Sequence, residues 1–329
     1  MKPLFQGACT ALVTPFRLDF VHTEAYDQLL DRQMKAGIAA LVVCGTTGES
    51  ATMSDTERLD LIGHTVDYVR GRCKVIAGTG SNHTAHAVTL SKEAEKLGAD
   101  GLLLVSPYYN KATEAGLIAH YTAIADQVHI PCIAYNVPSR TGVDIPVSVY
   151  RALAAHPNFC GVKEAGGDVG KIARIRQACG PEFFIWSGND DQTVPVMALG
   201  GLGVISVLSN LYPETVVRLT GLCLAGRYRY TRQSPSRPDA HHRRFVLRGQ
   251  PHPRQGRPAP GRTGRGPLPP ASYGPDAGAS GAAAALGGRS LRDPRKQLRP
   301  RPGAGTRVTA SSVGKPHSPS AAKSRTRPR

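Results

Sequence analysis

Eight short runs of apolar and β-branched residues recur along the first 226 positions of the chain, and helical patterns separate them. The predicted strands cover residues 8–15, 40–44, 75–78, 101–106, 131–137, 159–164, 183–187 and 203–207. The clearest amphipathic helices cover residues 23–36, 55–69, 84–97 and 213–225. Buried strands that alternate with amphipathic helices predict parallel βαβ units.

Two architectures can be built from such units. An open doubly wound sheet normally has fewer strands and a phosphate-binding glycine loop after the first strand. Here Thr14, Pro15 and Phe16 occupy that place, and no such loop is present. Eight units in about 220 residues favour a closed (β/α)8 barrel, the TIM barrel fold. We therefore expect one catalytic α/β barrel domain over residues 1–226.

Charge separates this domain from the rest of the chain. Residues 227–329 contain 23 of the 41 basic residues, 3 of the 24 acidic residues and 16 of the 26 prolines. The net charge is therefore near −3 for residues 1–226 and near +20 for residues 227–329. The second part has no hydrophobic period, and its composition predicts a disordered tail. Its charge also suits non-specific binding to nucleic acid.

Seven cysteines occur without a CxxC pair, and most lie in apolar runs. This is typical of small buried side chains in a reducing compartment, and it predicts neither a disulfide framework nor a zinc site. The sequence shows no signal-peptide run and no apolar stretch of membrane-spanning length. We expect a cytoplasmic protein without membrane contact.

The strand predicted at residues 159–164 contains a lysine, Lys163, among apolar neighbours. A buried ammonium is costly, and burial favours the neutral amine, which attacks carbonyl groups. Lys163 therefore suggests an enzyme that forms a Schiff base with its substrate. The alternative for any single lysine is an ordinary residue at the core edge that extends its amine to solvent.

In a (β/α)8 barrel the chemistry gathers at the carboxyl ends of the strands. Taken singly, a glycine–threonine turn or a strand-end tyrosine has an ordinary structural explanation. Here hydroxyls, phenols, one arginine and Lys163 converge at the same mouth, which favours a reaction site. The segments at the other strand ends are GTTGES at 45–50, SPYYN at 106–110, YNVPSRTG at 135–142 and SGNDD at 187–191.

These segments resemble motifs of the pyruvate-dependent class I aldolase superfamily, and most closely those of its dihydrodipicolinate synthases (4-hydroxy-tetrahydrodipicolinate synthases). The likeness runs from about Gly7 to Ala225 and rests on GTTGES, SPYYNK, YNVPSRTG, GVKEA and GNDD, in that order and at matching spacing. It implies a Schiff-base lyase of diaminopimelate and lysine biosynthesis that condenses pyruvate with L-aspartate-4-semialdehyde.

The resemblance implies catalytic roles for four residues. Lys163 would form an imine with the ketone of pyruvate, and Tyr135 would move protons to and from it in a relay with Thr46 and Tyr109. A hydroxyl–phenol chain suits this task because each group can both give and accept a proton. Tyr109 would reach into the site of a neighbouring subunit, so the family's homotetramer, a dimer of dimers, is expected.

The resemblance also implies the substrate-binding positions. Thr46 and Thr47 would hold the pyruvate carboxylate, and Arg140 would bind the carboxylate of the semialdehyde through its planar guanidinium. Gly188 and the backbone at Ile205 would line the same pocket. No metal and no organic cofactor is implied, because the covalent imine with pyruvate is itself the electron sink.

Two other functions stay open at this point. Sister enzymes, the N-acetylneuraminate lyases and keto-deoxy sugar acid aldolases, share the lysine and the tyrosine. Thr47 together with Arg140 favours the synthase, because the sister aldolases usually differ at these positions. A barrel that carries a non-specific nucleic-acid-binding tail is the other alternative.

Feedback inhibition by lysine is expected to be weak or absent. Lysine-sensitive relatives line the inhibitor site with a glutamate and histidines, and the aligned positions here are, in that order, His86, Asp55 and Arg58. The glutamate that would pair with the ammonium of lysine is therefore missing. The positions of that site that do match are Ser50, Ala51, Asn82 and Tyr108.

After Ala225 and Gly226 the family pattern stops. Relatives continue with three helices, and this region includes an Asn-Pro-Ile-Pro-x-Lys segment. They end shortly after an Arg-Leu-Pro stretch. Residues 239–256, DAHHRRFVLRGQPHPRQG, can be written in codons that encode MRIIDALFCEVNPIPVK when read one base later. Residues 268–274, LPPASYG, give CRLPPM in the same way. We interpret the tail as a change of reading frame near residues 226–230, with read-through after about residue 275.

This interpretation predicts that the chain as written is poorly soluble and has little activity, because loss of the family's helical subdomain exposes apolar barrel surface. Resequencing the locus tests it. A gene that is in frame through this region would contradict the frame change. A purified tetramer with normal turnover would contradict the predicted poor solubility and low activity. Salt-dependent RNA binding by residues 227–329 would then favour the nucleic-acid arm.

Overall fold

The computed structural model describes residues 2–233. The predictions for residues 234–329, which are the disorder, the changed frame and the nucleic-acid arm, lie outside the described residues. The start of the predicted tail is described: Tyr228–Gln233 forms a short 3-10 helix. The Tyr228 hydroxyl donates a hydrogen bond to the Met197 carbonyl (3.2 Å), so this first turn packs on the barrel.

The strands of the described residues form one closed sheet and one small hairpin. They are β1 Gly7–Ala11, β2 Phe16–Arg17, β3 Phe20–Val21, β4 Ala40–Val43, β5 Lys74–Gly78, β6 Gly101–Val105, β7 Cys132–Asn136, β8 Phe159–Glu164, β9 Phe184–Ser187 and β10 Gly203–Ser206. The closed sheet has the order β1-β10-β9-β8-β7-β6-β5-β4, and its neighbouring strands are parallel. The predicted (β/α)8 barrel is confirmed.

Helices connect the strands and surround the barrel. They are α1 Thr23–Lys35, α2 Asp55–Val69, α3 Thr84–Lys96, α4 Glu114–Ala125, α5 Pro138–Thr141, α6 Val147–Ala154, α7 Val169–Cys179, α8 Thr193–Ala198 and α9 Pro213–Leu224. The start of α2 shows how local sequence sets these bounds. The Ser54 hydroxyl accepts the Glu57 N–H while the Glu57 carboxylate accepts the Ser54 N–H, a reciprocal cap.

The first strand is shorter than its hydrophobic pattern predicts. It ends at Ala11, and the side chain of Asn210 takes up backbone hydrogen bonds at this end of the strand. The Val13 N–H donates to Asn210 Oδ1 (3.1 Å), and Asn210 Nδ2 donates to the Ala11 carbonyl (2.8 Å). The β2–β3 hairpin that follows was not predicted. Its strands of two residues each are too short to show an alternating pattern.

Apolar side chains pack in two layers, and alternate residues of each strand belong to different layers. Leu41 lies in the layer between the strands and the helices, whereas Val42 lies in the barrel interior. The interior includes Trp186, whose ring stacks on Phe5 with centroids 4.9 Å apart. Tyr135 is also an interior residue, so this predicted catalytic position faces the inside of the barrel.

All seven cysteines carry free thiols, and six of them are buried. No helix among residues 2–233 combines the length and the apolar composition needed to cross a lipid bilayer.

Candidate active site

The strand that carries the candidate lysine contains one extra residue. The β7–β8 register pairs Cys132 with Phe159, but the next pair is Ile133 with Gly161, so Cys160 has no counterpart in β7. Such a bulge shifts the alternation of side chains along the rest of the strand by one position.

The bulge determines which way Lys163 points. Beyond it Lys163 is in register with Tyr135, and residues in register on adjacent strands share a face of the sheet. Tyr135 lies in the interior, whereas Val162 lies in the outer layer. Phe159 is also an outer-layer residue, and strict alternation from it would turn Lys163 outward. The extra residue therefore places the amine inside the barrel.

Inside the barrel Lys163 is held by an aromatic ring. The side chain is buried, and Nζ lies 4.3 Å from the centroid of the Tyr135 ring. A cation over a ring face is attracted by the ring quadrupole. Within residues 2–233 no hydrogen bond or ion pair holds Nζ. The amine can therefore attack a carbonyl without first breaking a salt bridge. The adjacent Tyr135 also has a phenol that can carry protons.

Cys9 is a second potential nucleophile in the barrel interior. Burial raises the pKa of the Cys9 thiol, and the charge of Lys163 offsets this rise only in part. The thiolate is the nucleophilic form of cysteine, so burial works against a nucleophilic role for Cys9. The amine of Lys163 is the better nucleophile in this part of the molecule.

Gly188 keeps space open beside Lys163. Its N–H donates to the Glu164 carbonyl (2.7 Å), which joins the ends of β9 and β8. A Cβ atom at position 188 would lie 3.2 Å from Lys163 Cε and 2.6 Å from Ala165 Cβ, so a larger residue would crowd the lysine. Ile205 is fully buried in the interior cluster. The structure thus places Gly188 against the lysine and Ile205 within the same barrel interior.

Thr46 and Thr47 begin a short 3-10 helix, Thr46–Gly48, directly after β4. Left-handed backbone at Cys44 (φ +55°) and Glu49 (φ +60°) turns the chain on both sides of this helix. Thr46 is exposed and Thr47 is half-buried. The turn therefore presents two threonines at the carboxyl end of β4. This is the end of the barrel where the sequence predicted the active site.

Arg140 lies on α5, the single helical turn that follows β7. Pro138 begins this turn, and Gly142 ends it with φ +71°, a common arrangement of helix start and stop residues. The Arg140 side chain is exposed, and its guanidinium has no partner in the described part of the chain. An unpaired guanidinium at the barrel mouth is suited to bind a carboxylate in bidentate geometry.

Tyr109 is exposed at the surface, whereas Tyr135, the other tyrosine of the predicted relay, is buried. The side chain of Tyr109 is 88% exposed, its φ is +75°, and its N–H donates to the Thr141 carbonyl (3.2 Å). No hydrogen bond joins the side chains of Tyr109, Thr46 and Tyr135 within residues 2–233. The relay is not assembled within one chain, and the catalytic role of Tyr109 stays a prediction.

The positions aligned with the lysine site of sensitive relatives lie near the first turns of α2 and α3. His86 Nε2 lies 2.9 Å from Asp55 Oδ2, and Arg58 Nη1 lies 3.8 Å from Asp55 Oδ1. Asn82 Nδ2 donates to the Tyr108 carbonyl (3.3 Å). The carboxylate of this cluster is thus already paired with two basic side chains.

A buried ionic cluster behind the lysine was not predicted from the sequence. Glu164 and Lys171 are both buried, with Oε2 and Nζ 3.6 Å apart, and Asn136 Nδ2 donates to Glu164 Oε1 (2.7 Å). The available signal was a glutamate at the end of an apolar strand, because a buried carboxylate needs partners. Those partners come from distant parts of the chain, which sequence patterns do not pair.

Known proteins with similar sequences belong to one enzyme family. Residues 4–237 match the model of the dihydrodipicolinate synthetase family. The 4-hydroxy-tetrahydrodipicolinate synthase of Thermoanaerobacter sp. (strain X514) is 49% identical over 225 residues, which cover 68% of this chain and 76% of that protein. The protein of the same name from Caldicellulosiruptor saccharolyticus is 52% identical over 213 residues, covering 64% and 72%.

Solved structures show the same likeness. The crystal structure of dihydrodipicolinate synthase from Aquifex aeolicus aligns with a TM-score of 0.69 at 40% identity, covering 75% of this chain and 82% of that chain. The structure from Thermotoga maritima aligns with the same TM-score at 39% identity, covering 75% and 83%.

Proposed function

The chain belongs to the dihydrodipicolinate synthetase family, and from this we propose how its residues carry out the 4-hydroxy-tetrahydrodipicolinate synthase reaction. This lyase reaction of diaminopimelate and lysine biosynthesis joins pyruvate to L-aspartate-4-semialdehyde. The observation that carries the proposal is the inward-facing Lys163, whose Nζ lies 4.3 Å from the Tyr135 ring centroid. The synthase name of the relatives favours this reaction over that of the sister aldolases.

Lys163 begins the reaction by adding its amine to the ketone carbon of pyruvate. Loss of water gives an imine, which withdraws electrons from the neighbouring methyl group. Removal of a methyl proton gives an enamine, and the enamine carbon attacks the aldehyde carbon of the semialdehyde. The amino group of the second substrate then closes the ring on the imine carbon and releases Lys163. The lysine is the electron sink, so the proposed reaction uses no metal or organic cofactor.

Tyr135 moves the protons of these steps, and its position on the same interior face as Lys163 supports this role. Thr46 and Thr47 hold the pyruvate carboxylate, and Gly188 and Ile205 bound the same pocket. We propose that Tyr109 completes the relay from a neighbouring subunit of a homo-oligomer. Its 88% exposed ring, on a strained backbone beside the loop of Arg140, supports this assignment.

The substrate assignment is tested by offering the purified chain pyruvate with each of two aldehydes. With L-aspartate-4-semialdehyde, mass spectrometry should show the condensed cyclic product, accumulated over a long incubation because little activity is expected of the chain as written. With N-acetylmannosamine, the partner expected of a sister lyase, no condensation is expected. Condensation with the sugar alone would contradict the synthase function.

Replacing Arg140 with alanine is expected to weaken binding of the semialdehyde and leave pyruvate binding largely unchanged. Loss of a charge-assisted bidentate contact costs about 2 kcal/mol, which is roughly 30-fold in KM. Steady-state kinetics with each substrate varied in turn measure this effect. The control is Arg140→Lys, which keeps the charge but loses the two-pronged guanidinium geometry. Its KM for the semialdehyde should lie between that of the unsubstituted chain and that of Arg140→Ala. An equal change in both KM values would count against this role.

Lysine is expected to leave the rate unchanged at micromolar concentration. Asp55 is already paired with His86 and Arg58, so the site offers little free negative charge for the ammonium of lysine. Rates measured at rising lysine concentration test this expectation. His86→Glu, which restores an acidic side chain, should gain sensitivity. Micromolar inhibition of the unsubstituted chain would show the expectation to be wrong.

A further inference from the structure

The segment that carries Arg140 is a loop whose two ends are joined by one side chain. The chain leaves β7 at Asn136, and at Ile145 it again contacts the side chain of Asn136. Asn136 Nδ2 donates to Asp144 Oδ1 (2.7 Å), and the Ile145 N–H donates to Asn136 Oδ1 (3.0 Å). Residues 137–145 are therefore closed into a loop on Asn136, and any rotation of that amide moves the base of the loop.

Glu164 fixes the orientation of this amide. Its Oε1 accepts from Asn136 Nδ2 (2.7 Å) and from the Gly166 N–H (2.7 Å). Its Oε2 accepts from the Tyr150 hydroxyl (2.9 Å) and lies 3.6 Å from Lys171 Nζ. Burial and the Glu164 carboxylate raise the pKa of Tyr150 well above its ordinary value, so its hydroxyl stays a donor. Three hydrogen-bond donors and one ammonium thus hold one carboxylate.

The surroundings of Glu164 leave it little room to move. Its side chain is 3% exposed, and that of Lys171 is 6% exposed. A Cβ atom at position 166 would lie 2.7 Å from Glu164 Oε1 and 3.2 Å from Asn136 Nδ2, so Gly166 is needed for this close packing. Lys171 also forms an ion pair with Asp144, the residue at the far end of the loop.

Glu164 is the residue after Lys163, and adjacent strand residues point to opposite faces. Lys163 therefore points into the barrel, while Glu164 points outward and holds the loop of Arg140. A buried ion pair contributes little net stability once desolvation is counted. The main effect of this cluster is to fix the position of the Arg140 loop relative to the end of β8 that carries Lys163.

We propose that Glu164 is a positioning residue that sets Arg140 relative to Lys163, through Asn136 and the closed loop of residues 137–145. This assignment rests on the proposed function, because Arg140 is taken to bind the carboxylate of the second substrate. It predicts that the aldehyde subsite depends on Glu164 while formation of the pyruvate imine does not.

The test compares Glu164→Ala, Glu164→Gln and Tyr150→Phe in the full chain. Glu164→Ala should raise the KM for the semialdehyde by about 10-fold or more, since a misplacement of about 1 Å can cost two orders of magnitude. Trapping of the pyruvate imine with borohydride, followed by intact mass, should stay within about 2-fold of the unsubstituted chain. Glu164→Gln keeps an acceptor for Asn136 and should restore most of the loss. Tyr150→Phe removes only a bond at Oε2 and should leave the KM for the semialdehyde unchanged.

A second measurement does not depend on turnover. Hydrogen exchange of the Ile145 amide should be faster in Glu164→Ala, whereas exchange in β8 should be unchanged. If removal of Glu164 leaves Lys171 with only Asp144 as its partner and unfolds the chain, the double variant Glu164→Ala/Lys171→Met removes both buried charges and is used in its place.

The outcomes separate the two claims. If the unsubstituted chain forms no trapped pyruvate adduct, the proposed function fails and the positioning role fails with it. If the adduct forms but Glu164→Ala leaves the KM for the semialdehyde unchanged, only the positioning role is overturned. A parallel loss of adduct and of aldehyde binding would also overturn it, because it would show a general structural effect.

Discussion

Replacement of Lys163 by alanine is expected to lower turnover by on the order of 10⁴-fold or more and to remove the borohydride-trapped adduct with pyruvate. The expected loss is this large because the imine carries the electron pair of the reaction, and the other buried lysine of the described residues, Lys171, lies on α7 and not on a barrel strand. Lys163→Arg should be equally inactive, because it keeps a positive charge over the Tyr135 ring but cannot form the imine. Intact-mass measurement after borohydride treatment, with peptide mapping of the modified site, checks both variants.

The control for Lys163 is an ordinary surface lysine. Lys74 begins β5 and forms an exposed ion pair with Asp100, with Nζ and Oδ1 2.7 Å apart. Lys74→Ala should keep both the adduct and turnover. Trapping of pyruvate at any other lysine in Lys163→Ala, with turnover retained, would disprove the assignment of the Schiff base.

The barrel could be predicted from sequence because its signal is local. Each buried strand is a short apolar run, and the run at residues 159–164 matches β8 at both ends. The position of Lys163 at a strand end follows from the same pattern. Its direction does not, because it depends on the unpaired Cys160, and a bulge is a property of the register between two strands.

The cluster around Glu164 was beyond prediction for a related reason. The other residues of the cluster lie up to 28 residues from Glu164 along the chain; they are Asn136, Asp144, Tyr150 and Lys171. Only the closure of β7 against β8, together with the packing of α6 and α7, brings them to one carboxylate. Chemistry that depends on one residue type can be recognised in a sequence, whereas chemistry that depends on convergence needs the fold.

Replacement of Gly161 by alanine is expected to destabilise the barrel strongly and to remove the pyruvate adduct as well. A Cβ atom at position 161 would lie 2.0 Å from the Phe184 carbonyl oxygen and 2.7 Å from its carbonyl carbon. Gly161 is paired with Phe184 of β9 and with Ile133 of β7. Because β8 is hydrogen-bonded on both sides in a closed barrel, it cannot shift away from one neighbour without breaking its pairing with the other.

We expect Gly161→Ala to lower the free energy of unfolding by about 3 kcal/mol or more, or the melting temperature by roughly 10 °C. Chemical denaturation and thermal melting measure this loss. Gly221→Ala is the matched control, because position 221 lies within α9 and a Cβ atom there would meet nothing within 4 Å. That variant should be neutral or stabilised by up to about 1 kcal/mol, since alanine favours helix over glycine. Equal melting temperatures for the two variants would mean that β8 can adjust to a side chain at position 161.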